Sequence, residues 1–196
     1  MHVHIVFAHP NHESFTGAVL AAFVRGLTDA GHQHTLSDLY AMGFQPLLGG
    51  EDYLRESGGR DDLPVPADVA AEQQKMDAAD VWAFVYPVWW TDAPAMLKGW
   101  FDRVWTTGWA YNPGTQRRAQ HALVLCTAGH LVQTLQDAGY YQAMEAVMLG
   151  DRISGRAINK QFNIFDGSEK FTAEEWPAAR AERLERAYQI GRTLSP

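Results

Sequence analysis

Short apolar blocks alternate along the chain with longer stretches in which apolar residues recur at helical spacing. The blocks are bounded by turn residues and predict five strands, at 3–8, 34–39, 81–86, 121–127 and 158–165. The periodic stretches predict helices at 15–30, 68–79 and 94–105, in the segment that ends at 149, and at 173–194. Strands that alternate with helices favour a parallel sheet with helices on both faces.

The number and spacing of these elements also suggest a topology. Five strands in an α/β chain favour the flavodoxin-like order 2-1-3-4-5, in which ligands lie beyond the carboxyl ends of the central strands. No internal repeat or interdomain linker is visible, so we expect residues 1–196 to form a single domain. Residues 40–66 hold many Gly, Pro and polar residues, and we interpret them as a long surface excursion.

Composition and charge exclude several classes of protein. The chain is 46% hydrophobic and 20% charged, which is ordinary for a globular domain, and we expect no membrane insertion because no apolar run is long enough. The net charge of −7 argues against nucleic-acid binding, and we interpret Arg117 and Arg118 as part of a solvated loop. Cys126 is the only cysteine and the first strand leaves no room for a signal peptide, so we expect a cytoplasmic protein.

Several kinds of catalytic site are not indicated. The eight histidines are scattered without carboxylates at ligand spacing, so we expect no metal. The chain has neither a G-x-S-x-G nor a G-x-G-x-x-G motif, which argues against a serine hydrolase and against a Rossmann dinucleotide site. The candidate chemistry is therefore confined to the loops that follow the first, third and fourth strands.

The loop after the first strand has the features of a phosphate site. It opens a helix near Ser14, and helix N-termini bind phosphate through free backbone N–H groups and the helix dipole. His9, Ser14 and Thr16 would supply side-chain donors to the same anion. Ser14 is also a typical helix N-cap, and that role is compatible with phosphate binding.

Residues 86–111 hold five of the seven tryptophans. Trp100 and Trp105 stand at helical spacing and are predicted to pack in the core. Trp89 and Trp90 follow a buried strand in a loop, where they predict a wall for a flat, conjugated ligand. The small residues 127–129 after the fourth strand would let the backbone approach the same ligand.

The residues of these loops resemble the NAD(P)H:quinone oxidoreductase family, flavodoxin-like flavoenzymes also called DT-diaphorases. The matching segments are AHPNHESF at 8–15, DLYAMGFQPLL at 38–48, AEQQKMDAAD at 71–80, YPVWWTDAPAMLKGWFDRVW at 86–105, WAY at 109–111 and TAG at 127–129. The resemblance is strong over roughly the first 130 residues and thin afterwards.

The resemblance implies a flavin, NAD(P)H as co-substrate, and quinones or related electrophiles as acceptors. It also implies a homodimer, in which Trp109 and Tyr111 match aromatic residues that cover the substrate from the partner subunit. A backbone N–H near Thr91 would face the hydride-accepting nitrogen of the ring. Flavin-binding positions are implied in all three loops: His9, Ser14, Phe15, Thr16, Pro87, Val88, Trp89, Trp90, Thr91, Thr127, Ala128 and Gly129.

Departures from the family pattern leave three choices open. Ala128 stands where the family has Gly. The Tyr and His that assist proton transfer in the animal enzymes have no clean counterpart in this sequence, and His130, Tyr140 or Tyr141 could take their place. The resemblance to the FAD-using branch of the family, through DLYAMGFQPLL at 38–48, predicts FAD, but the excursion before the 68–79 helix is shortened, which leaves FMN as the alternative. Relatives of similar size regulate potassium-efflux transporters, and a regulatory flavoprotein subunit is therefore the alternative function.

Overall fold

The computed structural model describes all residues from 1 to 196 and contains one five-stranded, all-parallel sheet. Its strand order, β2-β1-β3-β4-β5, confirms the order predicted from the sequence. The strands are β1 His2–Phe7, β2 Gln33–Asp38, β3 Val81–Pro87, β4 Ala119–Thr127 and β5 Ala157–Phe165. The central strand β3 is buried along its whole length, as expected for a strand with helices on both faces.

Helices cover the two faces of the sheet, and none of them is both long and apolar enough to cross a bilayer. The helices are α1 Phe15–Asp29, α2 Gly50–Ser57, α3 Ala67–Ala78, α4 Ala95–Val104, α5 Val132–Asp137, α6 Tyr140–Glu145 and α7 Trp176–Arg192. A π-helix, Ala146–Ile153, continues α6 towards β5.

Alternate residues of the strands pack into two hydrophobic cores, one on each face of the sheet. Val3, Ile5 and Phe7 of β1 pack in the core beneath α1 and α7. Val6 points to the opposite face, where the larger core lies beneath α3 and α4 and contains the fully buried Trp100. This alternation follows from the two-residue period of a strand. The predicted core role of Trp100 is confirmed, while Trp105 is half-buried against the same core.

Residues 40–66 are more ordered than the surface excursion that the sequence predicts. They contain α2, whose Asp52 and Arg55 side chains are buried beneath the segment. The guanidinium of Arg103 on α4 donates to Asp52 at 3.2 Å and to Asp68 at 2.5 Å. The segment lies at the surface, as predicted, but it contains a helix that the sequence did not indicate, and ion pairs tie this helix to the body of the protein.

Arg117 lies in an exposed loop, as predicted, but it also bonds to the rest of the protein. Its guanidinium donates to Asp80 at 2.8 Å, and its backbone N–H donates to Asp77 at 2.9 Å. These bonds hold the start of β4 against the end of α3. Arg117 is therefore a structural contact.

Candidate functional site

The loops that follow β1, β3 and β4 meet at the carboxyl edge of the sheet and enclose a crevice of two adjoining cavities. One cavity has a volume of about 420 Å³ and the other about 200 Å³, and Val88, Ala128 and Gly129 line both. This edge is where open α/β sheets bind their ligands, since the loops diverge there. The sequence-predicted residues in the smaller cavity are His9, Ser14, Phe15, Thr16, Pro87, Val88, Trp89, Thr127, Ala128 and Gly129. Those in the larger cavity are Val88, Trp90, Thr91, Ala128, Gly129, His130 and Tyr140.

The smaller cavity contains the N-terminus of α1. Ser14 is the N-cap, and its hydroxyl oxygen accepts from the Gly17 N–H at 3.1 Å, as its residue type predicts. Phe15 and Thr16 occupy the first turn, where backbone N–H groups have no intrahelical acceptor. The Thr16 hydroxyl is engaged with the Thr127 hydroxyl at 2.7 Å, so its backbone is better placed than its side chain to meet an anion.

His9 contributes a neutral donor to the same cavity. Its Nδ1 accepts from the Asn11 N–H at 2.9 Å, which leaves the proton on Nε2. Burial lowers the pKa of His9 below its ordinary value, and the neighbouring His12 lowers it further, against the bond from Asn11. The ring is therefore fixed as a tautomer that can donate from Nε2 to an oxygen in the cavity.

A tight turn between β3 and α4 borders the larger cavity. Trp89 and Asp92 exchange backbone hydrogen bonds of 3.0 and 3.2 Å, with Trp90 and Thr91 between them. Trp90 has φ of 52° and Thr91 has φ of 62°, the pattern of a type I′ turn. The N–H groups of these two residues bond to no protein acceptor. The turn therefore offers two free donors beside the cavity.

The two aromatic side chains of this loop are open to solvent. The Trp90 side chain is 100% exposed, and Trp89 is 43% exposed with its ring centroid 6.1 Å from that of His9. A fully exposed tryptophan beside a cavity leaves a large apolar face without a partner. A flat ligand in the crevice would bury part of that face.

The loop after β4 closes the far side of the crevice, together with two residues that the sequence did not indicate. A Cβ on Gly129 would lie 2.5 Å from the Glu169 carboxyl carbon, so a larger residue here would displace the Glu169 side chain. The N–H groups of Ser168 and Glu169 donate to the carbonyls of Ala128 and Gly129. Ser168 and Glu169 thereby line the smaller cavity, although they follow β5.

The three candidate proton donors divide into two groups. His130 and Tyr140 line the larger cavity, together with Thr134, Leu135 and Ala138 of α5 and its C-terminus. The Tyr141 hydroxyl instead donates to the Phe162 carbonyl at 3.4 Å, and its ring packs edge-on against Phe162. Tyr141 is therefore held against β5 and does not line the crevice.

Trp109 and Tyr111 lie outside the crevice of their own chain. The Trp109 indole N–H donates to Asp77 at 2.9 Å. The Tyr111 hydroxyl donates to Glu56 and lines a separate cavity of about 350 Å³. Burial, the bond to Glu56 and its charge raise the pKa of Tyr111 to about 12, so the phenol stays protonated.

The arrangement fits a flavin, as the donor set shows. The helix N-terminus, Ser14 and His9 converge in the small cavity and suit a phosphate. The larger cavity has apolar walls and an edge of free backbone donors, which suits a planar heteroaromatic ring. No three His, Cys, Asp or Glu side chains converge as a metal site would require.

Comparison with known proteins agrees with this class of site. A family model described as a flavodoxin-like fold matches residues 1–153. NAD(P)H:quinone oxidoreductase from Methanothermobacter marburgensis is 44% identical, with a TM-score of 0.93, and the alignment covers 100% of this chain and 96% of that one. General stress protein 14 from Treponema denticola, solved with FMN, is 25% identical with a TM-score of 0.62 and coverages of 97% and 95%.

A further relative is similar to this chain over part of its length. NAD(P)H dehydrogenase [quinone] 1 of Rattus norvegicus is 38% identical in an alignment 124 residues long, and the alignment covers 57% of this chain and 45% of the rat protein. The chain thus spans about half the length of the curated relatives it matches. The chain belongs to the flavodoxin-like family that includes the NAD(P)H:quinone oxidoreductases, which confirms the resemblance found in its sequence.

Proposed function

We propose that this protein is a flavin-dependent NAD(P)H oxidoreductase that reduces quinones or related electrophiles. The crevice is the observation that carries the proposal, because it combines a phosphate-type pocket with an apolar cavity edged by free backbone donors. The 44% identity with a quinone oxidoreductase over nearly the full length of both chains supports the same activity.

Each loop has a defined part in holding the cofactor. The first-turn N–H groups, Ser14 and His9 would bind the phosphate. Pro87 to Thr91 and Thr127 to Gly129 would border the ring, and the Thr91 N–H would be available to its polar edge. When bound, a flavin takes a hydride from NAD(P)H and passes it to a quinone, so the two substrates occupy the same space in turn. The protein supplies position, hydrogen bonds and exclusion of water.

His130 and Tyr140 are the proposed hydrogen-bond partners of the acceptor. Both line the larger cavity, whereas Tyr141 bonds to the β5 backbone. A phenol or imidazole beside a quinone oxygen can donate a hydrogen bond as negative charge develops there. We therefore assign the assisting role to this pair.

The flavin itself is proposed to be FAD, with FMN as the alternative. The smaller cavity accounts for one phosphate, which both flavins possess. The FMN found in the Treponema denticola relative supports the alternative. Releasing the cofactor by denaturation and separating it by chromatography distinguishes the two directly.

We also propose that the protein is a homodimer in which Tyr111 covers the partner's crevice. Tyr111 is fixed by Glu56 beside a cavity that shares no lining residue with the crevice of its own chain. Leu47 and Leu54, which precede Glu56 in the chain, are 73% and 62% exposed, and a partner surface would cover them. Light scattering that shows only monomers in the active preparation would contradict this assembly.

The activity test is oxidation of NADH or NADPH by protein reconstituted with each flavin, with simple benzoquinones and naphthoquinones as acceptors. Tyr140→Phe should lower quinone turnover, because it removes the donor from the cavity. Tyr53→Phe is the matched control, since Tyr53 is a similarly exposed phenol on α2. Failure of the reconstituted wild type to oxidise either nucleotide would overturn the proposed function.

A further inference from the structure

The turn at Trp90 and Thr91 is held in a conformation that its residues disfavour. Both have positive φ, and neither is Gly, Asn or Asp. A left-handed backbone is especially unfavourable for a β-branched residue such as Thr91. Strain of this kind persists only when neighbouring contacts determine the conformation.

The neighbouring contact is an ion pair at the last residue of the turn. Asp92 accepts two hydrogen bonds from Arg152, at 2.9 Å from Nη1 and 3.1 Å from Nη2. Its Oδ1 also accepts from the Ala93 N–H at 2.6 Å. These bonds fix the carboxylate, and the paired backbone bonds between Asp92 and Trp89 then close the turn.

Arg152 is itself rigidly placed. Its side chain is only 7% exposed, and its guanidinium lies 5.5 Å from the centre of the Phe101 ring. Its backbone carbonyl accepts from the Trp105 indole N–H at 2.5 Å. Arg152 therefore joins the π-helix and the aromatic core of α4 to the edge of the crevice.

We propose that Arg152 is a positioning residue that acts through Asp92 to hold the turn whose free Trp90 and Thr91 N–H groups face the cofactor. The role of those donors in binding a flavin rests on the proposed function. The effect of the ion pair between Arg152 and Asp92 on the conformation of the turn does not. Bidentate pairing from a buried arginine distinguishes this contact from an ordinary surface ion pair. Because the Asp92 carboxylate is half-exposed, a substitution there removes the ion pair without disturbing the hydrophobic core.

The first test uses the flavin-free protein. Asp92→Asn keeps the shape of the side chain and weakens the paired, charge-assisted bonds to Arg152. We expect the backbone order parameters of the Trp90 and Thr91 amides, measured by ¹⁵N relaxation, to fall from about 0.85 to below about 0.6. Asp102→Asn is the matched control, because its carboxylate is 43% exposed against 48% for Asp92 and is also paired with a cation.

The second test uses the flavin-loaded protein. Asp92→Asn should lower the two-electron reduction potential of the flavin and slow its reduction by NADH about tenfold, while flavin affinity changes less than about threefold. Arg152→Lys should act in the same direction, since a single ammonium cannot make the paired contact. Unchanged amide order in Asp92→Asn, or an equal change in Asp102→Asn, would overturn the proposed effect of the ion pair on the turn. An inactive wild type whose turn still responds to Asp92→Asn would overturn the proposed function alone.

Discussion

The polar groups around Glu72 and those in the crevice differ in whether their hydrogen-bond partners lie within the protein. Glu72 lies fully buried on α3, yet its carboxylate accepts from Ser37 at 2.8 Å, Lys75 at 2.5 Å and Trp100 at 2.9 Å. In the crevice, by contrast, the Trp90 and Thr91 N–H groups have no acceptor in the protein. Since this turn is open to solvent, the two amides are available to bond to water or to a ligand.

This difference separates stability from function. The Glu72 carboxylate links β2, α3 and α4, and its hydrogen bonds are all made within the chain. The crevice keeps free donors and an exposed tryptophan that a ligand could cover, and its turn is strained, which costs stability. We therefore expect changes at Glu72 to affect folding and changes in the crevice to affect binding or turnover.

The largest expected effect is at Glu72. Glu72→Gln removes the charge that Lys75 neutralises and turns an amide N–H₂ towards groups that donate. Breaking such a buried pair costs about 3–5 kcal/mol of unfolding free energy. Urea unfolding measures this loss, with Glu182→Gln as the control because that side chain is 84% exposed. A loss no larger than the control's would contradict the structural role of Glu72.

The same residue predicts a pH dependence of stability. Burial alone would raise the pKa of Glu72, but the neighbouring His4 and the hydrogen bonds from Lys75, Trp100 and Ser37 lower it from 4.5 to about 2. Since the unfolded chain binds this proton first, the contribution of Glu72 is complete above pH 4.5 and is lost as the pH falls towards 2. The stability margin of wild type over Glu72→Gln should therefore shrink across that range. A margin that stays constant would refute the assignment.

In the crevice, the largest effect is expected from Thr91→Pro. Proline cannot adopt the φ of 62° found here and has no N–H to donate. We expect hydride transfer to slow by about a hundredfold or more, whereas Thr91→Ala keeps the donor and most of the activity. Stopped-flow reduction of the bound flavin by NADH measures both variants. Equal rates in Thr91→Pro and Thr91→Ala would show that this N–H is not used.

His9→Ala should have a smaller effect, confined to cofactor binding. It removes one hydrogen bond to the phosphate, which corresponds to about a tenfold rise in the dissociation constant of FMN. Riboflavin is the control ligand, because it lacks the phosphate and its affinity should not change. If flavin affinity is intact and only turnover is lost, His9 belongs to the chemistry instead.

The sequence predicted the sheet well because apolar strands carry a clear pattern, but it did not reveal α2. The buried residues of that helix include Asp52 and Arg55, so its inward face is polar and the usual amphipathic pattern is reversed. The single-domain organisation and the cytoplasmic location stay predictions. The transporter-subunit alternative has no observation in its favour.

The sequence predicted the parts of the site that directly follow strands. It did not predict the residues that only tertiary contacts bring to the site. The loops after β1, β3 and β4 follow directly from the topology. Ser168 and Glu169 reach the crevice only by pairing with the loop after β4, which no local pattern signals. Tyr140 and Tyr141 are adjacent in sequence, and only the path of α6 separates the one in the cavity from the one against β5.

The most direct test of the central claim is amide hydrogen exchange, measured with and without FMN. If the free donors of the crevice bind the flavin, exchange at the Phe15, Thr16, Trp90 and Thr91 amides should slow on addition of FMN, while the β2 amides beside Glu72 should not change. FMN that binds without protecting these four amides would contradict the account.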